Sequence, residues 1–134
     1  MKTMHKRMLV LTFTLALLCS LTAHAAMPEN GIMPLYNYIV DTDRSIDING
    51  TKAVMTAFVK GNSNVDKCQI KMTLQMRNGS TWDDVTSWTD SKSGTNMTVT
   101  HSHSINSNET YRVKVTFKVW NGSSTETTTK TATP

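Results

Sequence analysis

Apolar and polar residues alternate along most of the chain after residue 38, and short polar turns interrupt the alternation. The clearest example runs from Cys68 to Arg77, where every second residue up to Met76 is apolar. A period of two places successive side chains on opposite faces of a β-strand, so this segment predicts a strand with one buried face. Residues 26–134 show no helical period, and we therefore predict an all-β protein.

Seven segments carry this alternation. The predicted strands cover residues 39–48, 52–60, 68–77, 82–89, 96–105, 111–119 and 123–133. Three of the turns contain Asn-Gly, a dipeptide that accepts positive φ and closes tight hairpins, at residues 49–50, 78–79 and 121–122. Seven antiparallel strands of this spacing predict a single immunoglobulin-like or fibronectin-like β-sandwich, and a closed barrel is the structural alternative.

Tyr111 gives a more specific indication of the sandwich. It follows an Asn-rich corner and precedes Val113 by two residues, as the tyrosine corner does in immunoglobulin-like domains. Val113 and Met55 occupy the positions that a disulfide joins in an antibody domain, so apolar packing must hold the two sheets together here. We expect Leu74 on the inward face of the third strand and Gly79 in the turn that follows it.

The stretch LQMRNGSTWDDVTSW raises a question of register. In an uninterrupted fourth strand Trp82 and Trp88 share one face, and Val85 lies on the other. Either a β-bulge around Asp83-Asp84 resets the register and buries Trp88 beside Val85, or the two tryptophans form an exposed binding strip. We favour the bulge.

The beginning of the chain is typical of a secretory signal peptide. Lys2, Lys6 and Arg7 precede an apolar run over residues 8–18, and the small-residue sequence Ala23-His24-Ala25 follows. We expect cleavage after about Ala25, a signal peptide helix over residues 1–25, a lead-in segment over 26–38 and the sandwich over 39–134. The residue before Cys19 is Leu18 rather than a small residue, so we expect secretion and not lipidation.

Removing this segment changes the charge and the cysteine count. Three of the 14 Lys and Arg residues lie in it and none of the 10 Asp and Glu residues do, which leaves a net charge of +1. Without a basic stripe in the sequence we expect no nucleic-acid binding, and without a further long apolar run we expect no membrane span. Cys68 is the one cysteine that remains, so it is either a buried thiol, which we favour, or an intermolecular link.

The segments PLYNYI, LQMRNGSTWDDVTSW and TYRVKVTFKVWNGSSTE are spread over residues 34–126, so a resemblance based on them covers nearly all of the chain after Ala25. Together they resemble a family of small secreted proteins from Gram-positive bacteria with no assigned activity. The most specific positions of this resemblance are Leu74-Gln75, Gly79, Trp82, Val85, Trp88 and Tyr111-Arg112-Val113. The resemblance implies secretion and a sandwich fold, and it transfers no catalytic residue.

Sequence patterns for catalysis, metals and cofactors are weak. His101 and His103 share one face of a strand, but no acidic residue or cysteine is adjacent in sequence, so partial burial is the simpler interpretation. The segment Asp41–Asp47 spaces oxygen ligands as calcium loops do, yet Ile46 replaces the turn glycine. Asp83 and Asp84 are adjacent and point to opposite faces of a strand, which excludes a carboxylate pair. We expect no enzyme, metal or cofactor.

A binding module is the function that these patterns favour. We predict a monomeric, secreted protein that binds an extracellular or cell-surface protein. The alternative is a carbohydrate-binding module in which tryptophans stack on sugar rings and polar neighbours, including Gln75, bind hydroxyl groups. The candidate ligand-binding residues are Trp82, Trp88, Trp120, Asp83, Asp84 and Arg77.

Overall fold

A computed structural model describes residues 37–134, which form seven antiparallel strands in two sheets. The strands are β1 (Ile39–Asn49), β2 (Lys52–Gly61), β3 (Lys67–Asn78), β4 (Thr81–Ser93), β5 (Asn96–Ser104), β6 (Tyr111–Asn121) and β7 (Ser124–Ala132). The predicted signal peptide and the first part of the lead-in segment, residues 26–36, lie outside the described residues. Within residues 37–134 no helix has the length and apolarity to cross a membrane.

The two sheets have the strand orders β1-β2-β5 and β4-β3-β6-β7. Each sheet ends in two strands that pair on one side only, so the fold is a β-sandwich and not the closed barrel of the alternative prediction. All seven predicted strands are present. The largest difference in length is in β4, which continues to Ser93 although the alternation in the sequence breaks at Asp90.

The three Asn-Gly hairpins have a common geometry. The asparagine is the last residue of the first strand, and the glycine begins a two-residue turn with φ near +60° at Gly50, Gly79 and Gly122. No non-glycine residue of the described chain has positive φ, so only the first turn residue is left-handed, as in a type II′ turn. This turn matches the twist of the flanking strands and fixes the hairpin register.

The core lies between the inward faces of the two sheets. Met55, Leu74 and Val113 have no exposed surface. Tyr111 is also buried, and its hydroxyl oxygen accepts a hydrogen bond from the backbone N–H of Asn106 at 3.1 Å. This bond ties the β5–β6 connection to the start of β6, which is the arrangement expected of a tyrosine corner.

Polar contacts close the sandwich where β1 and β7 are neighbours. The Glu126 carboxylate accepts hydrogen bonds from the backbone N–H groups of Tyr38 and Ile39. Further along, the Lys130 ammonium donates to the hydroxyl of Thr42 at 2.6 Å. These contacts fix the entry of β1 without covering the outer face of either sheet.

Candidate binding face on the four-stranded sheet

A β-bulge separates the two tryptophans of β4. Leu74 pairs with Thr86 and Gln75 pairs with Asp84, so Val85 has no partner on β3. The register on the two sides of the bulge is therefore offset by one residue, and Trp82 and Trp88 lie on opposite faces of the sheet.

This geometry decides between the two alternatives of the sequence analysis. A bulge is present, as predicted, one residue beyond Asp83-Asp84. The predicted burial of Val85 is wrong, because the unpaired residue is 42% exposed. The exposed strip is also wrong, because Trp88 pairs with the buried Met72 and packs against the core.

Trp88 belongs to a polar cluster between β4 and β5. Its ring stacks on the imidazole of His101, with centroids 4.9 Å apart and an angle of 7° between the planes, and it meets the edge of His103. The Asp90 carboxylate lies 2.6 Å from Nε2 of His101. Both histidines are half-buried, and no group of three possible metal ligands is found among residues 37–134. The cluster therefore closes this side of the sandwich by ring stacking and hydrogen bonding.

The outer face of the four-stranded sheet carries a concentration of positive charge. Alternate residues of β3, β4 and β6 place one carboxylate, Asp84, on this face together with six cations: Lys67, Lys71, Arg77, Arg112, Lys114 and Lys118. The outer face of the other sheet mixes Asp41, Asp43 and Asp47 with Lys52 and Lys60. We call the former surface, with its six cations and Asp84, the basic face.

The basic face corrects one premise of the sequence analysis. A net charge of +1 over residues 26–134 indicated no basic stripe, but the fold sorts the charges so that the basic face alone carries +5. Clustered charge produces a local potential that a net charge does not reveal.

At one end of the basic face Arg112 is held by two neighbours, Trp82 and Gln75. Its guanidinium carbon lies 4.3 Å from the centroid of the Trp82 ring, and its Nε donates to Oε1 of Gln75 at 2.8 Å. Gln75 in turn donates from Nε2 to Oδ1 of Asp84 at 2.6 Å. Lys114 lies 3.9 Å from the same carboxylate oxygen. The cation stack and the hydrogen bond restrict the rotamers of the long arginine side chain.

Gln75 is the centre of this network although it lies on a solvent-facing side of the sheet. It is only 4% exposed, because the neighbouring side chains cover it. Its amide has one orientation, since the arginine requires the carbonyl oxygen and the carboxylate requires the NH₂ group. A buried amide with both ends bonded holds its partners in one geometry.

Trp120 occupies the opposite end of the basic face. The ammonium groups of Lys67 and Lys118 both lie 4.8 Å from its ring centroid. In the register of β3, Trp82 is opposite Arg77 and Trp120 is opposite Lys67, so the two rings are separated by about 33 Å at 3.3 Å per residue. One sugar ring cannot contact both tryptophans.

Two of the proposed ligand-binding residues instead stabilise the β3–β4 hairpin. Nε of Arg77 donates to the carbonyl oxygen of Gly79 at 3.0 Å, and the Asn78 side chain donates to Oδ2 of Asp83 at 2.7 Å. Asp83 lies on the inward side and Asp84 on the outer side, as the alternation predicted.

For Cys68 and for the segment Asp41–Asp47, the structure supports the simpler of the two interpretations given in the sequence analysis. The Cys68 thiol is fully buried and donates to the carbonyl oxygen of Gly94 at 3.3 Å. Burial raises the pKa of this thiol, and the positive charge of Lys92 offsets part of the increase. The segment from Asp41 to Asp47 is part of β1, with Ile46 in the core, and does not form a loop around a cation.

The cations of β6 are the residues that sequence reasoning did not select as a site. Their signal was present in the alternation of Arg112, Lys114 and Lys118 opposite a fully apolar set. The sequence does not show which strand pairs with β6, and Lys67 and Lys71 join this surface only through the β3–β6 pairing.

No protein-family model matches the chain, and no curated protein matches it. Among solved structures, CsgH from R. palustris is 11% identical over 66% of this chain and 88% of its own, with a TM-score of 0.41. The E. coli curli protein CsgC is 15% identical over 70% of this chain and 98% of its own, with a TM-score of 0.44. Spo0M, the sporulation control protein from Bacillus subtilis, is 8% identical over 69% of this chain and 48% of its own, with a TM-score of 0.40.

All three TM-scores are below 0.5, so the fold assignment rests on the strand order and register described above. The structure supports the β-rich part of the resemblance found in the sequence and does not identify a family.

Proposed function

We propose that this protein is a secreted, non-enzymatic binding module that uses the basic face to bind an acidic extracellular protein. The observation that carries the proposal is the +5 charge of one sheet surface, although residues 26–134 together have a net charge of only +1. Such a surface raises the local concentration of an acidic partner and orients its approach.

The shape of the surface supports a macromolecular partner. The cations are distributed along β3 and β6 over a length of about 30 Å, at 3.3 Å per residue, instead of converging on one point. Four threonines of β7, at positions 125, 127, 129 and 131, extend the same face with hydroxyl groups. A flat face of this kind suits a protein surface better than a small molecule, which usually needs a concave pocket.

The carbohydrate alternative now has less support in its original form. Arg112 lies over the ring of Trp82, and two lysines lie near the ring of Trp120, so cations compete with sugar rings for the aromatic faces. Trp88 is on the inward side of the sheet. A glycan ligand for this face would need acidic groups that pair with the cations.

We also propose an immunoglobulin-like fold, secretion and a Gram-positive origin for this protein. An immunoglobulin-like sandwich is supported by the Tyr111 hydroxyl bond and by the position of Val113 and Met55 in the core. Secretion is supported by the pattern of residues 1–25, and the Gram-positive origin by the sequence resemblance alone.

The proposal is tested by reversing charges on the basic face. The double variant Lys71→Glu, Lys118→Glu lowers the charge of this face from +5 to +1. We expect binding to immobilised poly-glutamate to weaken by about tenfold or more, since surface charge pairs contribute about 0.2–1 kcal/mol each and a factor of ten is about 1.4 kcal/mol. Wild-type binding must also weaken as salt rises.

The matched control is Lys52→Glu, Lys60→Glu, which makes the same change on the outer face of the three-stranded sheet. We expect this variant to retain binding within about twofold, apart from the small long-range effect of total charge. Equal losses in the two double variants would show that net charge and not the basic face is responsible. Retained binding in both would refute the proposed function.

A further inference from the structure

The end of the basic face near Trp82 has the organisation of a receptor for a carboxylate group. Arg112 is oriented by the ring of Trp82 and by the buried amide of Gln75, and both contacts leave its outer edge uncommitted. Its two terminal nitrogens donate no hydrogen bond to any other residue between 37 and 134. A planar guanidinium whose terminal N–H groups are free binds a carboxylate with two parallel hydrogen bonds.

Its orientation distinguishes Arg112 from the other cations of this surface. The lysines have flexible point charges, and Nε of Arg77 is engaged by the turn at Gly79. Only at Arg112 do a stacked ring and a buried hydrogen-bond acceptor fix the same guanidinium. A side chain that is already ordered loses less conformational entropy when a ligand binds.

The spacing of the neighbouring cations indicates the kind of ligand. Lys114 and Lys118 follow Arg112 on the same face of β6 at two and six residues, which corresponds to about 7 Å and 20 Å along the strand. Acidic residues at alternate positions of an extended peptide repeat at the same interval of about 7 Å. One extended acidic segment can therefore pair with all three cations.

From this arrangement we infer that Arg112 is the anchor of a binding site for an extended acidic segment of the partner protein, with Lys114 and Lys118 pairing with further carboxylates. The inference rests on the proposed function and adds to it the anchor residue and the conformation of the bound segment. Asp84 weakens the binding of an acidic segment, because its carboxylate is the one negative charge of the basic face and, being 62% exposed, repels the carboxylates of the ligand.

The test measures binding of the full chain to two labelled twelve-residue peptides of equal composition by fluorescence anisotropy. One alternates Glu and Thr, and the other has six Glu followed by six Thr. We expect the alternating peptide to bind at least fivefold more tightly, because one face of six consecutive Glu residues carries carboxylates over only about 13 Å at 3.3 Å per residue and cannot reach from Arg112 to Lys118. Equal affinity for the two peptides would overturn the extended conformation.

Three substitutions, one of them a control, test the anchor. Arg112→Lys keeps the charge but removes the planar fork, and we expect about tenfold weaker binding of the alternating peptide. Arg44→Lys makes the same chemical change on β1, outside the basic face, and should alter binding by less than twofold. Asp84→Asn should strengthen binding several-fold, because it removes the competing carboxylate.

The outcomes separate this inference from the proposed function. Unchanged affinity in Arg112→Lys, together with the loss expected in Lys71→Glu, Lys118→Glu, would refute the anchor and leave the basic face as the binding surface. Tighter binding of a polyuronate than of either peptide would replace the peptide with an acidic glycan and refute the inference. No effect of the double charge reversal would refute the proposed function itself. Unfolding curves of every variant control for loss of the fold.

Discussion

Deletion of Val85 tests the register of β4 directly. Val85 is the unpaired residue of the bulge, between Asp84 and Thr86. Asp84 and Thr86 pair with Gln75 and Leu74, which are adjacent on β3, so deletion of Val85 makes the β3–β4 ladder continuous. Trp82 and Trp88 then stay on the faces of the sheet that they now occupy. We therefore expect a folded variant with almost unchanged stability.

The magnitude follows from two opposing terms. A continuous ladder restores one or two backbone hydrogen bonds, each with a net value of about 0.5–1.5 kcal/mol. The deletion also removes a valine that is 42% exposed, so about half of the roughly 1.5–3 kcal/mol for a fully buried side chain is lost. The expected change in the free energy of unfolding is within about 1 kcal/mol, or a shift in Tm of less than about 8 °C for a domain of this size.

The assay is urea unfolding followed by tryptophan fluorescence, with deletion of Thr100 as the control. Thr100 lies in the uninterrupted β2–β5 ladder, where it pairs with Thr56. Deletion of Thr100 moves His101 and His103 to the opposite face of the sheet and breaks their contacts with Trp88. We therefore expect the free energy of unfolding to fall by more than about 3 kcal/mol, because ring stacking and ladder hydrogen bonds are both lost. A similar loss on deletion of Val85 would refute the register described here.

Three further changes test the framework. Tyr111→Phe should lower the free energy of unfolding by about 1–2 kcal/mol in urea titrations, because the Asn106 N–H loses its acceptor; an unchanged midpoint would contradict this role of the hydroxyl. Gly61→Ala should lower stability by about 1–3 kcal/mol, because the new Cβ would overlap the side chain of Val65, and combining it with Val65→Ala should recover part of the loss. In a Cys19→Ser variant, Cys68 should react with a thiol reagent only after denaturant is added, and rapid labelling of the native variant would contradict its burial. Because the pKa of Cys68 is raised on folding, the free energy of unfolding should fall as the pH rises above the ordinary thiol pKa and through the raised value, and a rise over this pH range would contradict the burial as well.

The strands and turns show how much of the fold is determined by local sequence patterns. Alternation located the seven strands to within a few residues, since burying one face of a strand requires apolar residues at every second position. The extension of β4 to Ser93 was missed, because an edge strand can continue by hydrogen bonding to β3 without apolar side chains of its own. The turn glycines were identified for a similar local reason, since positive φ strongly favours glycine.

The candidate site depended on pairing between distant segments. The sequence contains Arg112, but its position over Trp82 and its bond to Gln75 arise only when β3 lies between β4 and β6. The bulge was foreseen as one of two alternatives, and only the paired register placed it at Val85. The alternation of side chains within one strand does not indicate which other strand will pair with it in the sheet.

The class of the fold, its strands and the tight turns between them can therefore be predicted from the sequence, because they follow from local periodicity and backbone sterics. Which charges lie together depends on the tertiary structure. The fold sorts the charges of residues 37–134 into one basic face and one mixed face, since strands far apart in sequence pair side by side and the sum of their charges depends on that pairing.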